Sequence, residues 1–263
     1  MSGPGAANDP RRRYALAASA LRQDARLPAA DAKRAFIDLL KRRHGSAAAL
    51  AHAWGLAIGD WNGLLAPLSP ALLPNSKHPA IAEDFRAFQA LHADAYFRQV
   101  AQALKRADPN HLYLGARFSA RTPEAVAACA RWCDVVSFNL YVPSITTGFE
   151  GEAFHARGKP AMLTEFHFGS ADRGPFWAGV QPVAGEDDRG PAYAKLLESV
   201  LANPDFVGAH WFQYLDEPVT GRWLDGENGH LGLVAITDLP WSGFIERVRA
   251  ANHDLMRQLG TLR

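Results

Sequence analysis

Glu165 is the residue of this sequence that is best placed to do chemistry. It follows a short apolar run, Ala161 to Leu163, that is typical of a buried strand, and Gly169 lies just beyond it. In a parallel α/β barrel, catalytic groups stand at the C-terminal ends of the strands. A carboxylate at such an end is a candidate for the nucleophile of a retaining glycosidase. That chemistry also needs a second carboxyl group, and the sequence offers no obvious partner for Glu165.

Polar and aromatic residues recur where each of four expected strands ends. They are Arg117 after the first strand, Asn139 and Tyr141 after the second, Glu165 and His167 after the third, and Trp211, Gln213 and Tyr214 after the fourth. The following loop adds Asp216, Glu217, Arg222, Asp225, Glu227 and Asn228. Aromatic faces stack on sugar rings, carboxylates and amides bind hydroxyl groups, and no Gly-rich phosphate loop is present. The mixture favours a carbohydrate ligand.

Several of these residues also have a purely structural interpretation. A lone strand-end glutamate such as Glu165 could simply be paired with an arginine such as Arg117. Trp211 and Tyr214, taken alone, would more often be core aromatics. The segment 225–228 could be a turn and nothing more. The recurrence of such groups at successive strand ends is what favours a functional site.

An alternation of strands and helices from residue 111 onward would position these groups. The expected strands cover residues 111–118, 135–141, 161–168 and 207–214. The expected helices cover residues 122–132, 149–157 and 191–202, with a last helix after the loop 215–239 and ending near residue 259. Such alternation implies a parallel sheet. The predicted fold class is therefore α/β, a partial (β/α)8 TIM barrel of about four C-terminal units.

The first 110 residues are predicted to be a helical segment that belongs to the same structural unit. Apolar spacing predicts helices over residues 14–25, 29–43, 46–54 and 81–107, with Ser46 as an N-cap. Residues 59–79 are rich in Gly, Pro and Asn and are expected to form a long loop.

The bulk composition excludes several classes of partner. The net charge is +1 and no long basic or acidic block is present, so neither nucleic acid nor a membrane surface is an expected partner. Cys129 and Cys133 are expected to be buried thiols, and the singly scattered histidines predict no metal site. The opening residues lack the apolar stretch of a signal peptide, so a cytoplasmic location is expected as the chain is given.

Five stretches of the chain, taken together, resemble one family of enzymes. They are Asp108–Phe118, Cys133–Tyr141, Pro160–Gly169, Val207–Asp216 and Thr220–Asn228. They look like the second half of the β-agarase-like and β-galactosidase-like glycoside hydrolases of clan A, and the resemblance extends from about residue 11 onward. It implies a (β/α)8 barrel, retaining chemistry without a cofactor and a β-galactoside-type substrate.

The resemblance also assigns roles to single residues. Glu165 matches the family's nucleophile at the end of the seventh strand. Asn139, Tyr141, Trp211 and Gln213 would line the sugar subsite. The strand-end and loop positions add, as further candidate substrate-binding residues, Arg117, His167, Asp216, Arg222 and Glu227.

The chain departs from the family pattern at its start. Such enzymes carry an acid/base glutamate in an Asn-Glu pair at the end of the fourth strand, ahead of a helical insertion. Here Asn8 and Asp9 stand where that pair would be, so the first four strands and the acid/base are expected to be absent and the activity weakened. Asp216, Glu217 or Glu227 could serve as a substitute acid.

An open half barrel has further consequences. Its exposed strand edges and inner face predict a homo-oligomer that covers them. The alternatives to a weakened glycosidase are a non-catalytic carbohydrate-binding remnant and a truncated fragment.

Overall fold

A computed structural model describes residues 10–68, 74–147 and 158–261 of the chain. The helices are α1 Pro10–Arg13, α2 Ala15–Leu21, α3 Asp31–His44, α4 Ala47–Trp54, α5 Ala80–Ala107, α6 Pro123–Trp132, α7 Glu186–Leu201 and α8 Ser242–Thr261. The strands are β1 Val136–Asn139, β2 Ala161–Phe166 and β3 Phe206–Trp211, with short 3-10 helices at Trp61–Leu64 and Ile145–Thr147. The expected helix over residues 149–157 lies outside the described residues.

The described chain divides into two compact units. The helical unit contains residues 10–111 together with 120–132, and the sheet unit contains residues 112–119 together with 133–261. Helix α6, which the sequence suggested as part of the barrel, therefore groups with the helical segment. That the two parts act as one structural unit stays a prediction. In the portion of the chain that the structure describes, no helix combines the length and the apolar character needed to cross a membrane.

Aromatic packing forms the centre of the helical unit. The Phe36 and Phe88 rings stack with centroids 4.2 Å apart, and Phe85 and Trp54 meet Phe36 edge to face. The predicted N-cap is confirmed, because the Ser46 hydroxyl accepts a hydrogen bond from the amide of Ala49. Helices α2 to α5 thus bury one apolar stripe each against a common core.

A buried lysine ties the expected long loop to this core. Lys33 is 0% exposed, and its ammonium group donates to the carbonyl oxygens of Leu21, Gln23 and Ala66 at 2.9, 2.7 and 2.5 Å. The three donors of the ammonium group are thereby satisfied, which makes its burial tolerable. Burial lowers the pKa of Lys33. The described start of the loop is therefore held against α2 and α3.

Parallel pairing orders the sheet unit as β1-β2-β3. Three of the four expected strands are confirmed as regular strands. The register pairs Val136 with Ala161 and, after an irregularity that follows Phe138, pairs Asn139 with Glu165. The ends of β1 and β2 that were expected to carry chemistry therefore lie side by side.

The expected first strand, residues 111–118, is not regular. Its backbone contacts the sheet at two points: the carbonyl oxygen of Tyr113 accepts from Val135, just before β1, and Phe118 forms an isolated parallel bridge with Phe138 of β1. Between these points the backbone turns at Gly115 and Arg117, where φ is +84° and +48°. Left-handed backbone breaks the extended geometry that a ladder needs, so the segment follows the sheet without joining it as a strand.

Helix α7 begins five residues earlier than the sequence predicted. The expected start was Pro191, but the helix starts at Glu186, and the Asp172 carboxylate accepts from the amide of Glu186 at 3.2 Å. Three acidic residues in the first turn favour this end of the helix through its dipole. The cap comes from a distant loop, so the local sequence does not reveal it.

Candidate active site

Two donors hold the carboxylate of Glu165 at the end of β2. The guanidinium of Arg117 donates to Oε1 at 2.6 Å, and the hydroxyl of Tyr141 donates to Oε2 at 2.6 Å. The Glu165 side chain is 19% exposed, so it can still meet a ligand. Each oxygen has one short, charge-assisted hydrogen bond that fixes the orientation of the carboxylate.

Arg117 reaches Glu165 from the irregular segment beside β1. Its left-handed backbone is fastened by a hydrogen bond from its own amide to the hydroxyl of Ser137, at 2.9 Å. Its guanidinium also donates to the carbonyl oxygen of Thr164 at 3.2 Å. The turn that interrupts the expected strand is thus what directs this cation toward the carboxylate.

Tyr141 remains a protonated donor. Burial raises the pKa of its phenol, and the hydrogen bond to Glu165 and the negative charge of that carboxylate raise it further. The charge of Glu227 acts in the same direction, whereas Arg117 lowers the value. The hydroxyl therefore stays protonated and donates a hydrogen bond to Glu165 across the physiological pH range.

Asn139 is placed next to the nucleophile candidate by the register of the sheet. Its amide oxygen lies 2.9 Å from the hydroxyl of Thr164, which is also 3.1 Å from the carbonyl oxygen of Phe138. The hydrogen bond from Thr164 engages the amide oxygen and fixes the orientation of the Asn139 side chain beside Glu165.

His167 is close to Glu165 in sequence but is shielded from solvent, with 1% of its surface exposed. Its Nε2 accepts a hydrogen bond from the amide of Val180 at 2.8 Å. Burial lowers the pKa of His167 to about 3, which outweighs a contact with the backbone of Phe212 that raises it. The expected contact between His167 and a substrate therefore does not fit its burial.

The loop after β3 carries an arginine shared by three carboxylates. Arg222 binds Asp225 with two hydrogen bonds of 2.6 and 2.7 Å, binds Glu227 at 2.6 Å and pairs with Glu217 at 3.2 Å. These four residues are called the Arg222 cluster below. Burial raises the pKa of Glu217, and Glu227 adds to the rise. The guanidinium carbon of Arg222 lies 6.0 Å from the ring centroid of Phe212, and that ring is 6.1 Å from the ring of His167, so the Arg222 cluster lies near the residues that follow β2.

The segment that holds this cluster is also a tight turn, as the structural interpretation proposed. The amide of Gly226 donates to the carbonyl oxygen of Arg222, and the amide of Arg222 donates to that of Glu227, both at 2.8 Å. Turn and cluster are compatible, because the turn is what brings Asp225 and Glu227 back to Arg222.

Asp216 lies in a separate, fully buried network. Its carboxylate accepts from the amide of Gly232 at 2.6 Å and from the indole of Trp241 at 3.0 Å, and lies 2.9 Å from Nδ1 of His230. Nε2 of His230 contacts Glu186 at 2.5 Å. Both carboxylate oxygens are hydrogen-bonded inside the protein and Asp216 is buried, so its placement fits a structural residue better than the expected contact with a substrate.

Arg189 completes that network. Its guanidinium pairs with Glu186 at 2.9 Å and donates to the carbonyl oxygens of Phe168 and Gly232 at 3.0 and 2.8 Å. Sequence reasoning missed Arg189, Glu186 and His230, and no local signal pointed to them, because their partners are distant in the chain.

Trp211 is placed among core aromatics. Its ring packs on Phe166, Tyr193 and Phe244, with centroids 5.4, 5.8 and 5.1 Å away, and its indole donates to the carbonyl oxygen of Leu231. Tyr193 belongs to α7 and Phe244 to α8, so the ring lies on the side of the sheet that those helices cover. This is the structural alternative that the sequence left open for Trp211.

The structure thus separates the predicted site residues into groups. The residues in direct contact or register with Glu165 are Arg117, Asn139 and Tyr141, with His167 packed behind Tyr141. The Arg222 cluster is the neighbouring group. Gln213 follows a non-prolyl cis peptide bond after Phe212 and is half-buried, and Tyr214 is exposed.

A fixed carboxylate with hydrogen-bonding groups around it is suited to attack on an electrophilic carbon.

Comparison with known proteins agrees with this chemistry. The family model of glycoside hydrolase 42, described as beta-galactosidase, matches residues 22–185. Beta-agarase B of Vibrio sp. strain JT0107 is 36% identical over 245 residues, which are 92% of this chain and 25% of that protein. Beta-agarase A of the same strain is 39% identical over 229 residues, or 84% of this chain and 22% of that protein.

A solved structure described as an exo-beta-agarase has a similar fold. It superposes with a TM-score of 0.88 at 34% identity, over 95% of this chain and 33% of that structure's chain. The present chain therefore spans about a quarter of the length of the two agarases and about a third of this structure.

Proposed function

The chain belongs to glycoside hydrolase family 42, described as beta-galactosidase, and we propose from this premise that it carries the nucleophile of a retaining β-glycosidase. The substrate class is a β-galactoside or a related β-glycoside. The observation that carries the proposal is the carboxylate of Glu165, fixed by Arg117 and Tyr141 and still partly exposed.

Glu165 would attack the anomeric carbon of the bound sugar. The bond between that carbon and the leaving oxygen breaks as the bond to the carboxylate oxygen forms, which gives a glycosyl ester. Water then releases the sugar and regenerates the carboxylate. Before attack, the hydrogen bonds from Arg117 and Tyr141 hold the carboxylate in one orientation, so that little reorganisation is needed.

The hydroxyl groups of the sugar would be recognised by polar groups around Glu165. Asn139 adjoins it in the sheet, and Arg222 of the Arg222 cluster lies 6.0 Å from the ring of Phe212, which is 6.1 Å from the ring of His167. Amides and carboxylates bind sugar hydroxyls well, because each offers acceptors in a fixed plane. The fixed geometry of the Arg222 cluster supports a role in substrate orientation.

We assign the sheet unit to the C-terminal part of a (β/α)8 barrel. The parallel order β1-β2-β3, the helices α7 and α8 packed on one face and the position of Glu165 at a strand end support this assignment. In such a site the second carboxyl group stands about 5–5.5 Å from the nucleophile. We propose that this general acid is supplied by a polypeptide segment other than those that contact Glu165 here. A second copy of the chain is one source of such a segment.

A covalent trapping experiment tests the proposal without depending on a general acid. A 2-deoxy-2-fluoro-β-galactoside with a dinitrophenyl leaving group needs no protonation to react, and its fluorine slows the release of the sugar. We expect mass spectrometry of the digested protein to find one fluorosugar on the peptide that contains Glu165.

Two variants serve as controls for the trapping. Glu165→Gln should abolish the adduct, whereas Glu198→Gln, at an exposed position of α7, should leave it intact. An adduct that persists in Glu165→Gln, or that forms on another residue, would overturn the assignment of the nucleophile. Absence of any adduct in the unmodified chain would overturn the proposed activity.

A further inference from the structure

The ring of His167 contacts all three loops that follow the strands of the sheet unit. Its centroid lies 4.6 Å from that of Tyr141, after β1, and 6.1 Å from that of Phe212, after β3. In the loop after its own strand, it accepts the hydrogen bond from the amide of Val180. One buried side chain therefore joins the loops that surround Glu165.

The fit around this ring is close. Gly179 has φ of +79°, and a Cβ atom built there would lie 2.5 Å from Nε2 of His167 and 2.6 Å from a methyl group of Leu231. Only glycine adopts this backbone and leaves room for the ring. The backbone of residues 179–180 therefore packs directly on the edge of the imidazole.

The loop after β2, residues 169–183, is fastened at other points too. The amide of Val183 donates to the carbonyl oxygen of Gly169 at 2.9 Å, and the amide of His230 donates to that of Trp177 at 3.2 Å. Beside His230, the amide of Gly229 donates to the carboxylate of Glu217 at 2.7 Å. The loop that His167 holds is thereby joined to the Arg222 cluster.

We propose that His167 is a positioning residue, which sets the hydroxyl of Tyr141 against Glu165 and fixes the loop 169–183 beside the site. The proposal rests on the proposed function for its activity test. Because His167 is buried, it acts through these neighbours and does not touch the sugar. Its low pKa keeps the ring uncharged, so Nε2 remains an acceptor at neutral pH.

Two variants separate the ring from its hydrogen bond. His167→Phe keeps an aromatic side chain but leaves the buried amide of Val180 without an acceptor, so the ring loses the hydrogen bond that fixes it against Tyr141. His167→Gln supplies an amide oxygen at a similar reach and so retains the acceptor. His253→Phe, at an exposed position of α8, is the matched control.

The first test is the rate at which the fluorosugar labels Glu165. We expect His167→Phe to slow labelling roughly tenfold to a hundredfold, because a misplaced group in a site costs up to about this much. His167→Gln should recover the rate to within about threefold of the unmodified chain, and His253→Phe should not change it. Equal losses in the Phe and Gln variants would overturn the role of the acceptor.

A double-variant comparison asks whether His167 acts through Tyr141. In a Tyr141→Phe background there is no hydroxyl to position, so His167→Phe should cost less than about threefold further. If the fold-losses of labelling rate in the two single variants multiply in full in the double variant, the two residues act independently, which contradicts the proposal.

Hydrogen exchange gives a second test that does not need activity. In His167→Phe, the peptides that carry residues 176–181 and Tyr141 should exchange faster, while the α3 and α4 peptides stay unchanged. His167→Gln should restore protection. If the peptide with Tyr141 keeps its protection in His167→Phe, the positioning role is wrong, whether or not the protein labels. A failure to label with the expected exchange pattern would instead count against the proposed function alone.

Discussion

The hydroxyl of Tyr141 lies 2.6 Å from Oε2 of Glu165 and donates a hydrogen bond to it. Glu165 belongs to β2 and Tyr141 follows the neighbouring strand β1, whose last residue, Asn139, pairs with Glu165 after an irregularity in the register. This pair is the most direct structural link between the fold and the proposed chemistry. The first prediction follows from it.

Tyr141→Phe should slow fluorosugar labelling of Glu165 by roughly tenfold to a hundredfold, since a hydrogen bond to a charged group contributes about 1.5–3 kcal/mol. Thermal unfolding should change little, because the phenyl ring still packs on His167. The measurement is the labelling rate beside a melting curve. A variant that labels at the original rate would remove Tyr141 from the site.

Arg117→Gly should separate stability from activity. Glycine relieves the left-handed backbone at φ +48°, which costs an L-residue about 1–2 kcal/mol, whereas the lost ion pair involves an Arg117 side chain that is 56% exposed and contributes little to stability. We expect the free energy of unfolding to stay level or rise slightly, while labelling falls at least about tenfold because Oε1 loses its donor. Denaturant titration and labelling, with Arg173→Gly as an exposed control, check both parts. A parallel loss of both quantities would contradict this prediction.

The network around His230 should give the sheet unit a stability maximum in mildly acidic solution. Burial lowers the pKa of His230, but its hydrogen bonds to Asp216 and Glu186 give a net rise. A raised pKa contributes stability that is complete below the unfolded value of about 6.5 and is lost as the pH rises through the folded value.

The carboxylates of that network act in the opposite direction. Despite burial, hydrogen bonds from His230 hold the pKa values of Asp216 and Glu186 below normal. Their contribution is complete above about pH 4.5 and is lost as the pH falls further. Melting temperature should therefore peak between about pH 4.5 and 6.5. Asp216→Asn should flatten the decline of melting temperature on the alkaline side and lower the free energy of unfolding by about 3–5 kcal/mol. An alkaline slope that is unchanged in this variant would exclude His230 as its origin.

Lys33→Met should destabilise the helical unit by about 2–4 kcal/mol. Methionine fills a similar volume but leaves three buried carbonyl oxygens without their donor. The exposed Lys41→Met, in the same helix, should have almost no effect. Urea denaturation followed by the fluorescence of the tryptophans measures both. Equal stability of the two variants would mean that water replaces the ammonium group at no cost.

Sequence patterns located Glu165, Tyr141 and Asn139, because apolar runs mark where strands end and polar residues stand just after them. They could not tell which side of the sheet Trp211 would face, since that depends on the register with Phe166. They also named Arg117 as a possible partner of Glu165, which the structure confirms, but they could not predict the left-handed turn that directs it, because a non-glycine residue seldom adopts one. The start of α7 depends on Asp172, and such tertiary capping has no local signal.

The contact between Gly179 and His167 has a consequence for how sequences of this kind can diverge. A side chain at position 179 would meet the imidazole and would also have to adopt an unfavourable backbone conformation. The two positions therefore cannot drift one at a time. A related protein that replaces Gly179 must also replace His167 and adopt a different loop conformation. Substitutions at positions 179 and 167 should therefore be inherited together.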